Sequence, residues 1–195
     1  MDLINNDKFN KMNERFTEVK KFLLEFEDKG LKKSENGTLL IGNIPQINSY
    51  AYVHHIYPPL SKFDIESIEK ELTYPIPEIY KQFLLECCNG FSCFFKSLTM
   101  FGYRSSTNRS LESMYQPLSI IVENTYSSPD NSTNNDFFIG FLDSGHCIFI
   151  KKNTGKIYKC DKNDALKIQD EWDNLFDFLI SEIKRLSVEY IYPSI

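Results

Sequence analysis

The chain has 195 residues, of which 42% are hydrophobic and 25% are charged. This apolar content is enough to bury a core, so wholesale disorder is excluded, and the length favours one domain with an appendage. The net charge of −5 disfavours free nucleic acid as a partner, because phosphate contacts need a basic surface. A mildly acidic surface fits a basic protein partner, but many proteins carry such a surface without using it.

Sorting signals and cysteine usage predict a cytoplasmic protein. No stretch approaches the roughly 18 uninterrupted apolar residues that cross a bilayer, so no membrane partner is expected. The N-terminus, MDLINNDKFNKMNERF, lacks the basic start, apolar middle and small-residue cleavage site of a signal peptide. The five cysteines form no C-x-x-C pair, and we expect them to be reduced and mostly buried.

Residues 1–55 are predicted to form an N-terminal extension. Between residues 9 and 30, hydrophobic side chains repeat at three- and four-residue steps, which predicts an amphipathic helix. They are Met12, Phe16, Val19, Leu23 and Phe26. We expect this face to dock on its own domain, with docking on another chain as the alternative. Short strands follow, and Pro58-Pro59 marks the junction with a main domain assigned to residues 56–195.

Two helical segments open the main domain, the first over residues 64–72 and the second within residues 74–90. In the second, Pro77 suits the first turn of a helix, and Gly90 suits the left-handed position after its end. Apolar residues between them recur at i, i+3, i+4, i+7 and i+8, which predicts one wide buried face. They are Tyr80, Phe83, Leu84, Cys87 and Cys88.

Residues 136–161 carry the clearest strand signal. The runs FFIGFL, HCIFI and KIYKC are joined by turns at Gly145 and Gly155, which predicts an antiparallel meander. A closing helix is predicted over about residues 170–186, with Trp172 in its apolar stripe. The sequence therefore predicts an α+β fold, with an antiparallel meander, helices packed mainly on one face and the N-terminal helical extension.

No motif for nucleotide binding, hydrolysis or zinc binding is present. His54 and His55 are neighbours, and His146 precedes Cys147. Consecutive residues of a strand point to opposite faces, so neither pair can easily share a metal ion or a proton. We therefore predict that the protein is not an enzyme and uses no catalytic residue, metal or cofactor.

Acidic residues are concentrated in the C-terminal third of the chain. They are Asp136, Asp143, Asp161, Asp164, Asp170, Glu171 and Asp173. If the meander and the last helix share an edge, these carboxylates would form a negative patch that steers a basic protein partner. A merely solvated surface explains them equally well, so partner binding at these seven residues is a prediction only.

The sequence resembles the SUKH superfamily, the cell-wall-assembly-regulator family that includes many bacterial immunity proteins. The resemblance covers about residues 56–186 and follows a signature of proline, tyrosine, Phe-Leu and Asn-Gly, with a preceding helical Glu, later glycines and a closing aromatic residue. The matching residues are Glu69, Pro77, Tyr80, Phe83, Leu84, Asn89, Gly90, Gly140, Gly145 and Trp172. The departures are Ile76, where the family tends to have Leu, and the first fifty residues, which do not match.

The resemblance implies an α+β domain without an active site, in which the signature is mainly structural. It also implies an immunity protein that binds and neutralises a cognate bacterial toxin domain, often a nuclease, by protein–protein contact. The first alternative is a regulatory scaffold or adaptor in cell-envelope or signalling assembly. The second is an enzyme or a small-ligand binder with a pocket beside the Asn89-Gly90 corner, lined by Glu69, Tyr80 and Tyr103. The oligomeric state remains open.

Overall fold

A computed structural model describes residues 3–105 and 110–191 of the chain. The elements follow in the order α1 (Leu3–Leu24), β1 (Leu31–Lys33), β2 (Leu39–Asn43), β3 (Tyr52–Ile56), α2 (Lys62–Leu72), α3 (Glu78–Gln82), β4 (Phe91–Cys93), β5 (Leu98–Met100), α4 (Leu111–Met114), α5 (Ile120–Thr125), β6 (Asp136–Leu142), β7 (His146–Lys151), β8 (Ile157–Asp161), β9 (Asp164–Trp172) and α6 (Leu175–Ile191). A 3₁₀ turn (Glu27–Lys29) follows α1, and a π-helical turn (Phe83–Cys87) continues α3.

The described strands form one nine-stranded sheet, in which every strand pairs antiparallel with the next strand along the chain. A single row of directly opposed residues crosses the whole sheet, and all of its members lie on the same face. The row runs Lys32, Leu40, His55, Ser92, Thr99, Phe141, Cys147, Cys160 and Ile168. The predicted meander is thus confirmed and extended to the entire sheet, whose two edges are β1 and β9.

The main core lies between the other face of this sheet and the helices, so the α+β fold with helices mainly on one face is confirmed. Helix α1 packs against α6 and against the π-helical turn. Phe16, Val19 and Leu23 are at most 1% exposed, and burial of each such side chain stabilises the fold by about 1.5–3 kcal/mol. The N-terminal helix therefore docks on its own chain, as expected from its amphipathic pattern.

The predicted start of the last helix at residue 170 is wrong. Residues up to Trp172 belong to β9, and α6 begins at Leu175. Asn174 sets this start, because its side-chain oxygen accepts hydrogen bonds from the backbone N–H groups of Phe176 and Asp177 at 3.1 Å and so satisfies two donors of the first turn. Trp172 still packs edge-on against Phe178 of α6, but it does so from the end of the strand.

Strand β4 ends at Cys93, and Phe94 begins a tight turn to β5. The apolar residues after Ser119 begin the short helix α5, which contacts β6 and α2. Across the described ranges, no helix combines the length and apolar character required to cross a bilayer.

Candidate partner-binding surface

Tyr80 of the family signature joins two parts of the sheet. Its hydroxyl donates to the carbonyl of Phe101 at 2.6 Å and to that of Ile139 at 3.1 Å. The residue is fully buried, and this burial raises the pKa of the phenol well above its usual range. Phe83, which stacks on the Tyr80 ring, and Leu84 are also fully buried. These side chains therefore hold α3 against the sheet.

The Asn-Gly pair connects the end of the π-helical turn to the segment that follows β5. Asn89 donates from Nδ2 to the Tyr103 carbonyl at 2.8 Å and accepts at Oδ1 from the Tyr103 amide at 2.6 Å. At Gly90, φ is +75° and a Cβ atom would lie 2.5 Å from the Met100 carbonyl oxygen. Only glycine satisfies both the left-handed conformation and this close approach.

Glu69 stabilises the turn between α2 and α3. Its carboxylate accepts a hydrogen bond from the Ile76 amide at 3.0 Å and pairs with Lys81 at 2.6 Å. Pro77 is the residue that precedes α3. The side chain of Glu69 therefore fixes the position of α3 relative to the loop that precedes it.

The remaining signature residues lie in the sheet or at its end. Gly140 sits at the irregular pairing of β6 with β7, and a Cβ atom there would lie 2.5 Å from the Thr99 carbonyl oxygen. Gly145 lies in the turn between β6 and β7. Every signature residue described so far makes its contacts within the chain, which leaves the partner-binding surface to be sought elsewhere.

The three residues proposed for a small-ligand pocket do not meet around one cavity. Tyr80 has no exposed surface and Glu69 is engaged by Lys81. Tyr103 lines a cavity of about 360 Å³ together with Asn89 and Asp64, but neither Tyr80 nor Glu69 contributes to it. The structure therefore does not support a ligand pocket built from that trio.

The seven acidic residues do not form one continuous patch. Asp136 is buried: it pairs with Lys151 and accepts from the Thr133 hydroxyl and amide at 2.9 Å. Because only 2% of its side chain is exposed, a partner could not reach it without a local rearrangement. Asp136 is therefore omitted from the surface proposed below.

Asp143 lies in the turn that joins β6 and β7, and Asp161 is the last residue of β8. Asp143 accepts a hydrogen bond from the Ser97 hydroxyl at 2.6 Å. Asp161 is the cross-strand neighbour of His146 and accepts from the Asn163 amide at 2.8 Å. Each carboxylate thus has a local structural partner.

The other four carboxylates lie on or beside β9, and lysines accompany them. Asp170 pairs with Lys159, and both Glu171 and Asp173 pair with Lys156. The carboxylates of Asp170, Glu171 and Asp173 are exposed and lie together at one end of β9. These ion pairs neutralise much of the charge that would otherwise steer a basic partner.

Asp164 lies at the other end of β9. It accepts from the Asn131 side chain at 3.0 Å and lies 3.7 Å from the Lys167 ammonium. Both contacts lower the pKa of Asp164, with the Asn131 hydrogen bond as the largest cause. Asp164 is therefore ionised at neutral pH.

Sequence reasoning missed the apolar residues that β9 exposes between these carboxylates. Leu166 is 72% exposed and Ile168 is 44% exposed. The start of β9 is bridged by Asp130, whose carbonyl accepts from the Ala165 amide at 2.9 Å, but no further strand of the described chain lies beside residues 166–172. An open sheet edge with exposed apolar side chains is a place where other polypeptides can bind.

The neighbouring His146 and Cys147 do not support a Cys-His nucleophile. Burial, with added repulsion from Glu123 and Asp161, raises the pKa of Cys147 to about 11, so the reactive thiolate is scarce at neutral pH. The hydroxyl of Ser144 lies 2.8 Å from Nδ1 of His146, in an exposed turn. No group of three or more His, Cys, Asp or Glu side chains suited to a metal ion occurs among the described residues.

The protein combines an antiparallel meander backed by helices with a signature of Tyr, Asn-Gly and Glu residues that bond within the chain. These two features define the class of α+β protein to which it belongs. The chain matches the model of the SMI1 / KNR4 family (SUKH-1) over residues 59–181, more than half of its length, and it is a member of that family. A comparison with curated proteins found no match. Helix α1 and strands β1–β3 precede the matched segment, yet they belong to the same sheet and core.

Proposed function

We propose that the protein binds a bacterial toxin domain and blocks it by protein–protein contact, as an immunity protein, without catalysing a reaction. Membership of the SUKH family supports this proposal, because immunity proteins are common among the bacterial members that the sequence resembles. The proposed contact surface is the exposed edge strand β9. The observation that carries the choice is that Leu166 and Ile168 are exposed on a nine-residue strand at the sheet edge.

Apolar side chains supply most of the affinity in this arrangement. Leu166 and Ile168 offer apolar area that a partner can bury, and buried central contacts dominate the binding energy of most interfaces. The unpaired edge adds backbone hydrogen bonds if the partner contributes an extended segment. The surface therefore suits a partner with an extended, partly apolar segment.

The carboxylates around this edge have a secondary role. Asp164, Asp170, Glu171 and Asp173 stand against Lys156, Lys159 and Lys167, so the local excess of negative charge is small. Exposed ion pairs of this kind are screened by solvent and contribute little to affinity. They influence the association rate more than the stability of the complex.

The test is direct binding to the small C-terminal domain of a large secreted protein encoded beside this gene. Affinity and inhibition of the toxin are measured for the wild type, Leu166→Glu and Ile168→Glu. We expect each substitution to weaken binding by about tenfold to a hundredfold, since each places a charge in the apolar contact. The matched control is Leu31→Glu, because Leu31 is 50% exposed on β1 at the opposite edge.

The possible outcomes test the β9 contact surface and the immunity function separately. If toxin binding stays tight in both β9 variants but is lost in Leu31→Glu, the contact lies at the β1 edge. This result would contradict the assignment to β9. Failure to bind or inhibit any neighbouring toxin domain, with stable complexes to cell-envelope or signalling proteins instead, would replace the immunity role with that of a regulatory scaffold.

A further inference from the structure

A cavity of about 430 Å³ with both polar and apolar lining lies on the face of the sheet opposite the main core. Its floor is a short part of the cross-sheet row, in which His55, Ser92 and Thr99 are contributed by β3, β4 and β5. Residues 113–118 close one side, where Tyr115 packs edge-on against His55 with ring centroids 5.7 Å apart. The volume is in the range that proteins use for small ligands.

Two cationic side chains line this cavity, and no Asp or Glu is among its described lining residues. Lys96 comes from the turn between β4 and β5, and Arg104 follows β5. Arg104 is held in place, because its Nη2 atom donates to the Ser113 carbonyl at 3.0 Å. The chain has 27 acidic and 22 basic residues. A cavity whose described lining carries only basic charges attracts anions despite this overall negative charge.

The turn that carries Lys96 has an unusual backbone. Phe94, Phe95 and Lys96 have φ values of 48°, 56° and 72°, although residues with a side chain visit this region rarely and as single residues. The turn is fixed by hydrogen bonds from the Phe94 amide to Nδ1 of His54 and from the Phe95 amide to the Val53 carbonyl. Backbone strain maintained in this way is typical of binding and catalytic sites.

His55 supplies a polar atom that lacks a partner. Its Nε2 atom is buried, and no hydrogen-bond partner for it exists within the described chain. Burial, together with the nearby positive charge of Lys96, lowers the pKa of His55 to about 4, so the ring is neutral at physiological pH. A buried polar atom of this kind is normally satisfied, so His55 is an exception at the floor of this cavity.

We propose that this cavity binds a small organic anion that carries a carboxylate or phosphate group. The anionic group lies between Lys96 and Arg104, and the rest of the molecule contacts Ser92, Thr99 and the His55 ring. The inference does not depend on toxin binding, because the cavity involves strands β3–β5 and the proposed toxin contact involves β9.

Calorimetric titration of the full-length protein with inorganic phosphate, adenosine monophosphate and benzoate tests the proposal. We expect saturable one-to-one binding of at least one probe, weakened by added salt because the contact is ionic. The three probes distinguish a free phosphate, a phosphate on a ring-bearing molecule and a carboxylate.

Lys96→Asn is the informative variant, since asparagine tolerates the left-handed conformation of this turn while removing the charge. We expect about tenfold weaker binding, as for loss of one charge-assisted hydrogen bond. Lys70→Asn is the control, because Lys70 is exposed in the last turn of α2 and should leave binding unchanged. Circular dichroism confirms that both variants are folded.

Two results would overturn the assignment. One is the absence of saturable binding for all three probes at millimolar concentration. The other is binding that Lys96→Asn and Lys70→Asn affect equally, since it would then arise from overall charge rather than from this cavity. Either result leaves the toxin-binding proposal intact.

Discussion

The hydroxyl of Tyr190, near the end of α6, lies 2.7 Å from the hydroxyl of Ser97 at the start of β5. The Tyr190 ring also stacks on Phe94, with centroids 5.2 Å apart, and on Phe95 at 5.9 Å. Ser97 in turn donates to Asp143 at 2.6 Å. One tyrosine thus connects the last helix to the left-handed turn between β4 and β5.

We expect Tyr190→Ala to lower the free energy of unfolding by about 2 kcal/mol, through lost ring stacking and the lost hydrogen bond. Tyr190→Phe keeps the ring and should cost only about 0.5–1 kcal/mol. Urea denaturation measures both. Val188→Ala, at an exposed position of the same helix, should change little, and an equal loss there would mean that the effect does not come from the contacts of Tyr190.

Lys96→Gly should raise the stability of the protein. Glycine removes the steric cost of the left-handed conformation at φ +72°, a gain of about 1–2 kcal/mol that its larger unfolded-state entropy partly offsets. The net gain expected in urea denaturation is about 0.5–1 kcal/mol. Lys70→Gly, in helix α2, should instead cost about 1 kcal/mol. A less stable Lys96→Gly protein would contradict the strain assigned to this turn.

Gly90→Ala should destabilise the protein by about 3 kcal/mol or more, because it combines left-handed strain with a clash against the Met100 carbonyl. Gly155→Ala provides a matched control. Gly155 has nearly the same φ, +74°, but no atom lies within 4 Å of the added methyl group, so only about 1 kcal/mol should be lost. Thermal unfolding compares the two variants, and equal losses would rule out the close approach as the cause.

Tyr80→Phe removes the hydrogen bonds to the carbonyls of Phe101 and Ile139 while preserving the ring. Ile139 retains the Phe101 amide as a donor at 2.8 Å, whereas the buried Phe101 carbonyl loses the Tyr80 hydroxyl. We expect a loss of about 1–2 kcal/mol in urea denaturation. Tyr126→Phe, at a ring that is 82% exposed, should show no measurable change.

The protein should lose stability as pH falls from about 6.5 towards 5. Burial, with a smaller contribution from His55, lowers the pKa of His54 to about 3, and burial and Lys96 lower the pKa of His55 to about 4. The unfolded chain therefore takes up protons at a pH where the folded chain does not. Each histidine contributes a slope of at most about 1.4 kcal/mol per pH unit in this window.

His55→Gln removes one of the two titrating groups, so it should reduce this slope by about half. Urea denaturation at pH 7.0, 6.0 and 5.0 measures the dependence. A slope that is the same in the variant and the wild type would show that folding does not lower the pKa of His55.

Local sequence signals were sufficient for much of the fold. Gly90, Gly145 and Gly155 marked chain reversals that the structure contains, and the apolar stripe of residues 12–26 identified the face that α1 buries. These signals act within a few residues of each other, so they can be recognised without knowledge of tertiary structure.

Features that depend on distant partners could not be predicted in this way. In the segment DALKIQDEW, polar and apolar residues do not alternate strictly, so its strand character was missed. The pairing of this strand with β8 contains irregular positions, which is why strict alternation is not required. The lysines that neutralise Asp170 and Glu171 come from the neighbouring strand β8 and the turn before it, and sequence spacing does not reveal them. The left-handed turn at Phe94 contradicts the strand propensity of phenylalanine and is imposed by contacts with β3 and α6.

The pairing of α1 with α6 has a consequence for synthesis on the ribosome. The strands can add one hairpin at a time, because each contacts its predecessor in the chain, and such local assembly is rapid. Helix α1 is made before α6, so the part of its hydrophobic side that packs on α6 stays uncovered until α6 emerges. Until α6 is made, the nascent chain therefore exposes part of an apolar helix face. Such a face is a binding site for chaperones that shield apolar segments.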